Sequence, residues 1–168
     1  LAKREAHMSD VLDRFLGYVQ IGSESKLDNF DQTPSTSCQF DMANQVAAEL
    51  REIGCDDVKV DEHAYVTATV PASAGAEDLP TLGLCAHIDT SEDAPGMGVK
   101  PQVLDYDGGK LVIGHDTDGR EVSVSPDETP GLESYAGDKF VCADGTTLLG
   151  ADDKAAVAEI VSLAARLM

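Results

Sequence analysis

An apolar run that ends in a histidine and a carboxylate constrains the fold of this chain more than any other stretch. Residues 81–87 are almost continuously apolar, and His87 and Asp89 stand two positions apart at the end of the run. Such a run is typical of a strand that is covered on both faces of a parallel sheet. Because residues i and i+2 of a strand point to the same side, we expect His87 and Asp89 to face one crevice at the strand end.

The His-x-Asp pattern allows two interpretations. In the first, His87 is a zinc ligand, because a neutral imidazole binds zinc well, and Asp89 fixes its tautomer and orientation. In the second, His87 is a histidine of the core and Asp89 is a helix cap or a turn residue. The pattern is short, so by itself it does not choose between the two.

A second polar cluster opens the last helix of the chain. Asp152 and Asp153 follow Gly150 and precede a small-residue-rich, almost wholly apolar stretch up to Leu167. Carboxylates at a helix start are favoured by the helix dipole, which alone can explain the pair. An apolar helix is buried against a sheet, however, so its first turn can meet the strand end that carries His87. A histidine and a carboxylate from separate elements begin a metal site but do not complete it.

The rest of the sequence predicts an α/β fold with a mixed, mostly parallel central sheet flanked by helices. Helical spacing of apolar residues predicts a first helix, starting at the N-cap Ser9, and a second one that ends at Gly54. Between residues 99 and 124 we expect a β excursion away from the central sheet. Alternating or short apolar runs predict further strands at residues 58–60, 65–70, 102–104, 110–113, 120–124 and 139–143.

The segment from His115 to Gly119 contains two aspartates and invites a calcium-site interpretation. It lacks the later ligands of an EF-hand loop. Asp-Gly is also the standard pair of a tight turn between two strands. We therefore predict a hairpin turn there rather than a metal site.

Charge and cysteine content exclude several classes of protein. The 168 residues include 31 acidic and 12 basic ones, giving a formal net charge of -19. Such a field repels phosphate backbones, so a nucleic-acid partner is disfavoured. No apolar run approaches the ~20 residues needed to span a membrane. The four cysteines show no paired spacing, and no signal peptide is evident, so a cytoplasmic location is expected.

The two polar clusters together resemble those of the peptidase T family, bacterial aminotripeptidases within a clan of co-catalytic zinc exopeptidases. The segments that carry the resemblance are 86–90 (Ala-His-Ile-Asp-Thr) and 148–155 (Leu-Leu-Gly-Ala-Asp-Asp-Lys-Ala). Residues 34–36, 125–126 and 144–148 match as well. The resemblance covers residues 8–168 and implies a zinc-exopeptidase-like fold.

The resemblance also implies roles for the site residues. His87 would ligate one Zn²⁺, and Asp152 would bridge the two Zn²⁺ ions of a complete site. Asp89 would have a catalytic role, holding the imidazole of His87 in orientation. The bond between Asp152 and Asp153 would be a cis peptide. Two zinc ions a few ångströms apart need a shared carboxylate, which agrees with the role given to Asp152.

The chain departs from the family in what it lacks. The family's general-base glutamate, its partner glutamate, and a further aspartate and histidine lie downstream of the last helix. None of Glu121, Glu128, Glu133 or Glu159 falls in the family position. We therefore expect residues 1–7 to be a disordered extension and residues 8–168 to be the N-terminal part of a catalytic domain. The isolated chain is expected to be inactive, whereas the full-length enzyme would act on tripeptides and could form a homodimer.

Three alternatives compete with this interpretation. The chain could belong to another hydrolase of the same clan, such as a dipeptidase, a carboxypeptidase or an aminoacylase, because the two motifs are shared across the clan. It could instead be a non-catalytic acidic α/β remnant that binds no metal specifically. A cysteine hydrolase is disfavoured, because neither Cys85 nor Cys142 has a helix-start or basic setting that would lower its pKa.

Overall fold

The computed structural model describes the backbone of residues 2–168 and the side chains of residues 10–168. A 3-10 helix spans Leu132–Tyr135. The other elements, in chain order, are α1 (Ala2–Val19), α2 (Gln39–Ile53), β1 (Asp56–Val60), β2 (Val66–Thr69), β3 (Gln102–Asp105), β4 (Leu111–His115), β5 (Glu121–Val124), β6 (Lys139–Cys142) and α3 (Ala151–Leu167).

Three helices enclose the core. Helix α3 packs against both α1 and α2, and α2 also covers β1 and β2. The helical spacing of apolar residues in the sequence explains this arrangement, because each helix buries one apolar face. The buried core cluster consists of Phe15, Tyr18, Val19, Met42, Val46, Leu50, Val99, Ala143, Val157, Ala158, Val161 and Ala164.

The start of α1 differs from the sequence expectation. The helix begins at Ala2 rather than near Ser9. The side chains of residues 1–9, including the predicted N-cap Ser9, lie outside the described part of the chain. The division into residues 1–7 and 8–168, and the disorder of the first segment, stay predictions. Helix α2 ends as predicted, with Gly54 in the left-handed conformation at a φ of 95°.

The fold is mixed α/β, but the mostly parallel central sheet is not found among the described residues. The strands form three two-stranded antiparallel sheets, β1–β2, β3–β6 and β4–β5. The predicted excursion between residues 99 and 124 is present, and the segment from His115 to Gly119 is the hairpin turn between β4 and β5. There the carboxylate of Asp116 accepts the amides of Asp118 and Arg120.

The predicted central strand at residues 81–87 is not formed. The segment belongs to no sheet and has no backbone–backbone hydrogen bond with the described residues. Leu82 and Leu84 are 82% and 52% exposed. The apolar pattern indicates a segment that is suited to burial, but a strand also needs a neighbouring strand for its backbone groups. No described segment supplies that neighbour.

Thr90 is the point at which this segment meets the rest of the fold. It forms an isolated parallel bridge with Glu24, in the loop after α1. The bridge fixes the position of the His87–Thr90 segment without a sheet. Among the described residues, no helix has the length and apolar character that crossing a membrane requires.

Candidate metal centre

His87, at the end of the 81–87 segment, contacts Asp89, which follows it two positions later. Its Nδ1 lies 3.0 Å from the main-chain oxygen of Asp89 and 3.3 Å from Asp89 Oδ1. An Nδ1–H that donates to these oxygens leaves Nε2 with its lone pair free. In this tautomer Asp89 contacts Nδ1 and the other ring nitrogen, Nε2, is the one that faces Asp152.

Asp152 supplies the group that faces Nε2. Its Oδ1 lies 2.9 Å from His87 Nε2, although the two residues are 65 positions apart in the chain. Asp152 and Asp153 do not have helical φ and ψ angles, so the regular part of α3 begins only after them. The peptide bond between Asp152 and Asp153 is cis, as the resemblance implies. The two polar clusters of the sequence are thus adjacent in space.

Asp153 joins the cluster as a third candidate ligand, which the sequence interpretation did not include. One ligand atom each from His87, Asp152 and Asp153 lies within 4.8 Å of the others. The side chains of His87 and Asp152 are 52% and 94% exposed, so the cluster is open to solvent. The adjacency of Asp152 and Asp153 in the sequence could have indicated this third carboxylate.

The donor set fits zinc. Imidazole nitrogen and carboxylate oxygen are zinc ligands at about 2.0–2.1 Å, which places two ligand atoms of a tetrahedral ion ~3.3 Å apart. The 2.9 Å between His87 Nε2 and Asp152 Oδ1 is close to that separation, so a small opening would admit an ion. One imidazole and two carboxylates make an incomplete shell for one ion and cannot complete two.

The two carboxylates alter the protonation of His87. Partial burial acts to lower the pKa of the imidazole. The hydrogen bonds with Asp152 and the Asp89 main chain, together with the charges of both carboxylates, outweigh this effect and raise the pKa above its usual value. A proton and a metal ion therefore compete for the same nitrogen, and metal binding at Nε2 must displace that proton.

Lys154 lies directly behind the acidic pair and is almost completely buried, with 1% exposure. Its Nζ donates to the main-chain oxygen of Ile21 at 2.5 Å. Burial lowers the pKa of this ammonium to about 8. The sequence interpretation gave Lys154 no structural role, because nothing in the local pattern reveals a partner on the loop after α1.

A mostly apolar cavity of about 960 Å³ opens beside the acidic cluster. His87, Asp153, His63 and Tyr65 are among the residues that line it. Leu84 and Val157 are among the apolar side chains on its walls. The cavity therefore joins the candidate metal ligands to the unpaired 81–87 segment.

Comparison with curated proteins identifies relatives of the whole chain. It is 42% identical over 161 residues to peptidase T of Bacillus velezensis, an alignment that covers 95% of this chain. This chain resembles peptidase T. Peptidase T of Caldanaerobacter subterraneus is 44% identical over 156 residues, and that of Bacillus subtilis is 40% identical over 154. No protein-family model matches the chain.

The alignments with peptidase T cover most of this chain but a small part of the relatives. The alignments cover 91–95% of this chain but only 36–38% of the relatives. The chain thus spans less than two fifths of the length of the peptidase T proteins that it matches. The similarity therefore extends over almost the whole chain that carries the two polar clusters.

Proposed function

We propose that this chain carries part of the active centre of a zinc-dependent aminopeptidase that releases the N-terminal residue of tripeptides. The observation that carries the proposal is the 2.9 Å contact between His87 Nε2 and Asp152 Oδ1. It brings together two segments distant in the sequence, in a chain that is about 42% identical to peptidase T. The donor types are those that zinc prefers.

Each residue of the cluster has a distinct part in this proposal. His87 would hold one zinc ion through Nε2, and Asp152 would hold the same ion and bridge to a second. Asp89 keeps the imidazole in orientation through its contacts with Nδ1. Zinc at such a site lowers the pKa of a bound water and polarises a peptide carbonyl. Asp153 adds negative charge that attracts the cations and the ammonium group of a peptide.

Zinc binding tests the metal part of the proposal. We expect His87→Ala to lower the zinc affinity of the chain markedly, measured by isothermal titration calorimetry. His63→Ala is the matched control, because the His63 side chain is 50% exposed, close to the 52% of His87, and lines the same cavity. Equal zinc affinity in wild type and His87→Ala would instead support a non-catalytic acidic remnant.

Catalysis needs a base, and among the described residues the cluster of His87, Asp152 and Asp153 includes no glutamate. None of Glu121, Glu128, Glu133 or Glu159 falls in the family position of the general base, so a bound water would be neither deprotonated nor aimed. We expect the isolated chain to hydrolyse no tripeptide above a metal-only blank, with zinc or cobalt added. Turnover that is abolished by His87→Ala would contradict this part of the proposal.

The proposal extends to the fold and the setting of the longer enzyme. Residues 81–87 would form a strand of a mostly parallel central sheet whose neighbours lie in polypeptide additional to this chain. The exposure of Leu82 and Leu84 supports that view. The partners would be small peptides in the cytoplasm, and a homodimer is compatible with the family. Dipeptidases, carboxypeptidases and aminoacylases of the same clan are the alternative enzymes, distinguished by the substrate that the longer protein cleaves.

A further inference from the structure

The two halves of the candidate metal centre come from segments that no sheet joins. His87 and Asp89 belong to a segment outside any sheet, and Asp152 and Asp153 precede the regular part of α3. A metal site nevertheless requires ligand atoms to stay within a few tenths of an ångström of their positions. Some other part of the chain must therefore hold the halves together.

The loop of residues 21–25, the bridging loop, is hydrogen-bonded to the segment of His87 and Asp89. The bonds involve its main chain and one hydroxyl. Ser23 is fully buried, and its Oγ donates to Ile88 O at 2.7 Å. The amide of Thr90 donates to Ser23 O at 3.1 Å, and the amide of Ser25 donates to Thr90 O at 2.9 Å. These bonds fix the backbone on both sides of Asp89.

The same loop is bound to the second half by Lys154. Its Nζ donates to Ile21 O, two residues before Ser23, at 2.5 Å. Lys154 is 1% exposed, and the hydrogen-bond partner of its ammonium is a carbonyl without a full negative charge. Burying such a group lowers the stability of the fold. Lys154 directly follows Asp153, so the bond fixes the turn that presents both aspartates.

A direct contact between the halves completes the arrangement. A Cβ at Gly150 would lie only 3.0 Å from Thr90 Cγ2, so the start of α3 lies against the residue that ends the His87 segment. Thr90 is 3% exposed and also pairs with Glu24 of the bridging loop. The loop thus contacts the segments that bear every candidate ligand.

We propose that Ser23 and Lys154 are positioning residues of the metal centre, which act through the bridging loop to hold His87 against Asp152. Neither side chain is proposed to touch the metal or a substrate. The expected effect on zinc binding rests on the proposed function. The expected effect on the contact between His87 and Asp152 does not, because that contact can be measured without a metal.

The experiment uses the whole chain and four variants: Ser23→Ala, Lys154→Met, His87→Ala and the control Ser162→Ala. Ser162 is also a buried serine, 6% exposed, whose hydroxyl donates to the carbonyl of Ala158 within α3. Zinc affinity is measured by calorimetry and the geometry of the ligands by the visible absorption of bound Co²⁺. In metal-free protein, nuclear Overhauser contacts between the His87 ring and the Asp152 side chain report the juxtaposition. Urea unfolding defines the conditions in which each variant is folded.

We expect Ser23→Ala and Lys154→Met each to lower zinc affinity by roughly 10–100-fold, the range seen when groups that orient metal ligands are removed. The Co²⁺ spectrum should change and the His87–Asp152 contacts should weaken. Ser162→Ala should leave all three readouts unchanged even where it lowers the free energy of unfolding. Should Lys154→Met fail to fold, Ser23→Ala decides the outcome.

Two results separate the failure of this inference from the failure of the proposed function. Wild-type zinc affinity, Co²⁺ spectrum and His87–Asp152 contacts in Ser23→Ala, with affinity lost in His87→Ala, would overturn the positioning roles and leave the zinc site standing. Unchanged zinc affinity in His87→Ala would overturn the zinc site. The loss of His87–Asp152 contacts in Ser23→Ala would then still support the bridging role of the loop.

Discussion

Among single residues, Gly150 allows the start of α3 to approach the segment that carries His87. Its φ of 77° lies in the left-handed region, and the missing Cβ leaves room for Thr90. Thr90 is 3% exposed, so its side chain has little room to move aside. Any larger residue at position 150 must therefore displace a packed neighbour.

We expect Gly150→Ala to be more destabilising than Gly119→Ala. Gly119 has a similar φ of 79°, but nothing lies within 4 Å of its added Cβ. Each substitution places alanine in the left-handed region, which costs about 1–3 kcal/mol. Only Gly150→Ala also forces Thr90 to shift. Urea unfolding of the two variants measures the difference, and equal losses would show that the Thr90 contact is easily relieved.

Asp144 gives the stability of the chain an acid-sensitive component. The hydroxyl and then the amide of Thr146, followed by the Lys100 ammonium, lower the pKa of this carboxyl from 3.8 to about 2. A group whose pKa is lower in the folded state stabilises the fold above its unfolded pKa. That contribution is lost as the pH falls from 3.8 towards about 2.

Asp144→Asn tests this component. We expect the variant to be less stable than wild type near neutral pH, because the amide keeps an acceptor for Thr146 but loses the charge that Lys100 meets. The difference in the free energy of unfolding should vanish as the pH approaches the folded-state pKa of about 2. Urea unfolding of both proteins across the acid range measures it. A difference that is independent of pH would assign the effect to packing instead.

Single residues of the site were partly predictable from the sequence. The spacing of His87 and Asp89 and the acidic start of α3 singled out segments that lie together in the structure. Lys154 shows where such reasoning stops, because its partner Ile21 lies 133 positions away in the chain. A buried ammonium bound to a main-chain oxygen leaves no local pattern, since the carbonyl is present whatever side chain Ile21 carries.

Among the elements, Glu49 of α2 and Arg14 of α1 together link all three helices. Its two carboxylate oxygens accept from Arg14 Nε of α1 and from the Tyr18 hydroxyl, each at 2.5 Å. Arg14 also donates to Ser162 of α3 at 3.0 Å. Burial, and then the hydrogen bond with Glu49, raise the pKa of Tyr18 well above its usual value. The three helices are therefore linked by polar contacts at the border of the apolar core.

Tyr18→Phe removes one of these contacts without leaving a cavity. We expect it to lower the free energy of unfolding by about 1.5–3 kcal/mol, the range for a hydrogen bond to a charged group. Tyr135→Phe is the control, because Tyr135 is 55% exposed and its loss of a hydroxyl should change little. Urea unfolding measures both. A loss below ~0.5 kcal/mol in Tyr18→Phe would mean that water replaces the hydroxyl at Glu49.

Elements with a clear period were predicted well, and pairings were not. Helix α2 and the excursion strands β3, β4 and β5 lie within a few residues of the predicted bounds. The pairing of β3 with β6 was not foreseen, because these strands are more than 30 residues apart in sequence. Residues 81–87 were predicted to form a strand and do not. Their apolar pattern indicates burial, but it does not indicate which strand would pair with them.

At the scale of the whole molecule, the unpaired 81–87 segment is an exposed apolar edge. Backbone groups without partners, next to exposed leucines, can pair with another chain. The formal net charge of -19 opposes such contacts through repulsion between copies. Association should therefore increase with protein concentration and with salt, which screens the charge.

Leu82→Lys should reduce this association, as measured by sedimentation velocity at increasing protein concentration. Leu79→Lys is the matched control, because Leu79 is 69% exposed but lies outside the 81–87 segment. Both substitutions lower the net negative charge equally, so only the position differs. Equal effects of the two would show that the edge does not mediate the contact.

The unpaired 81–87 segment also makes the molecule a substrate for digestion by other enzymes. Proteases bind a substrate's backbone as an added strand, and residues 81–87 have no hydrogen-bonded ladder of their own to open first. A single cut there would divide the chain between the first two helices and His87, and the packing of α3 against α1 and α2, together with the bridging loop, would hold the fragments together. Zinc bound at His87 would tether one end of the segment, so we expect resistance to an elastase-like protease, which cleaves after small apolar residues such as Ala86, to increase when zinc is added.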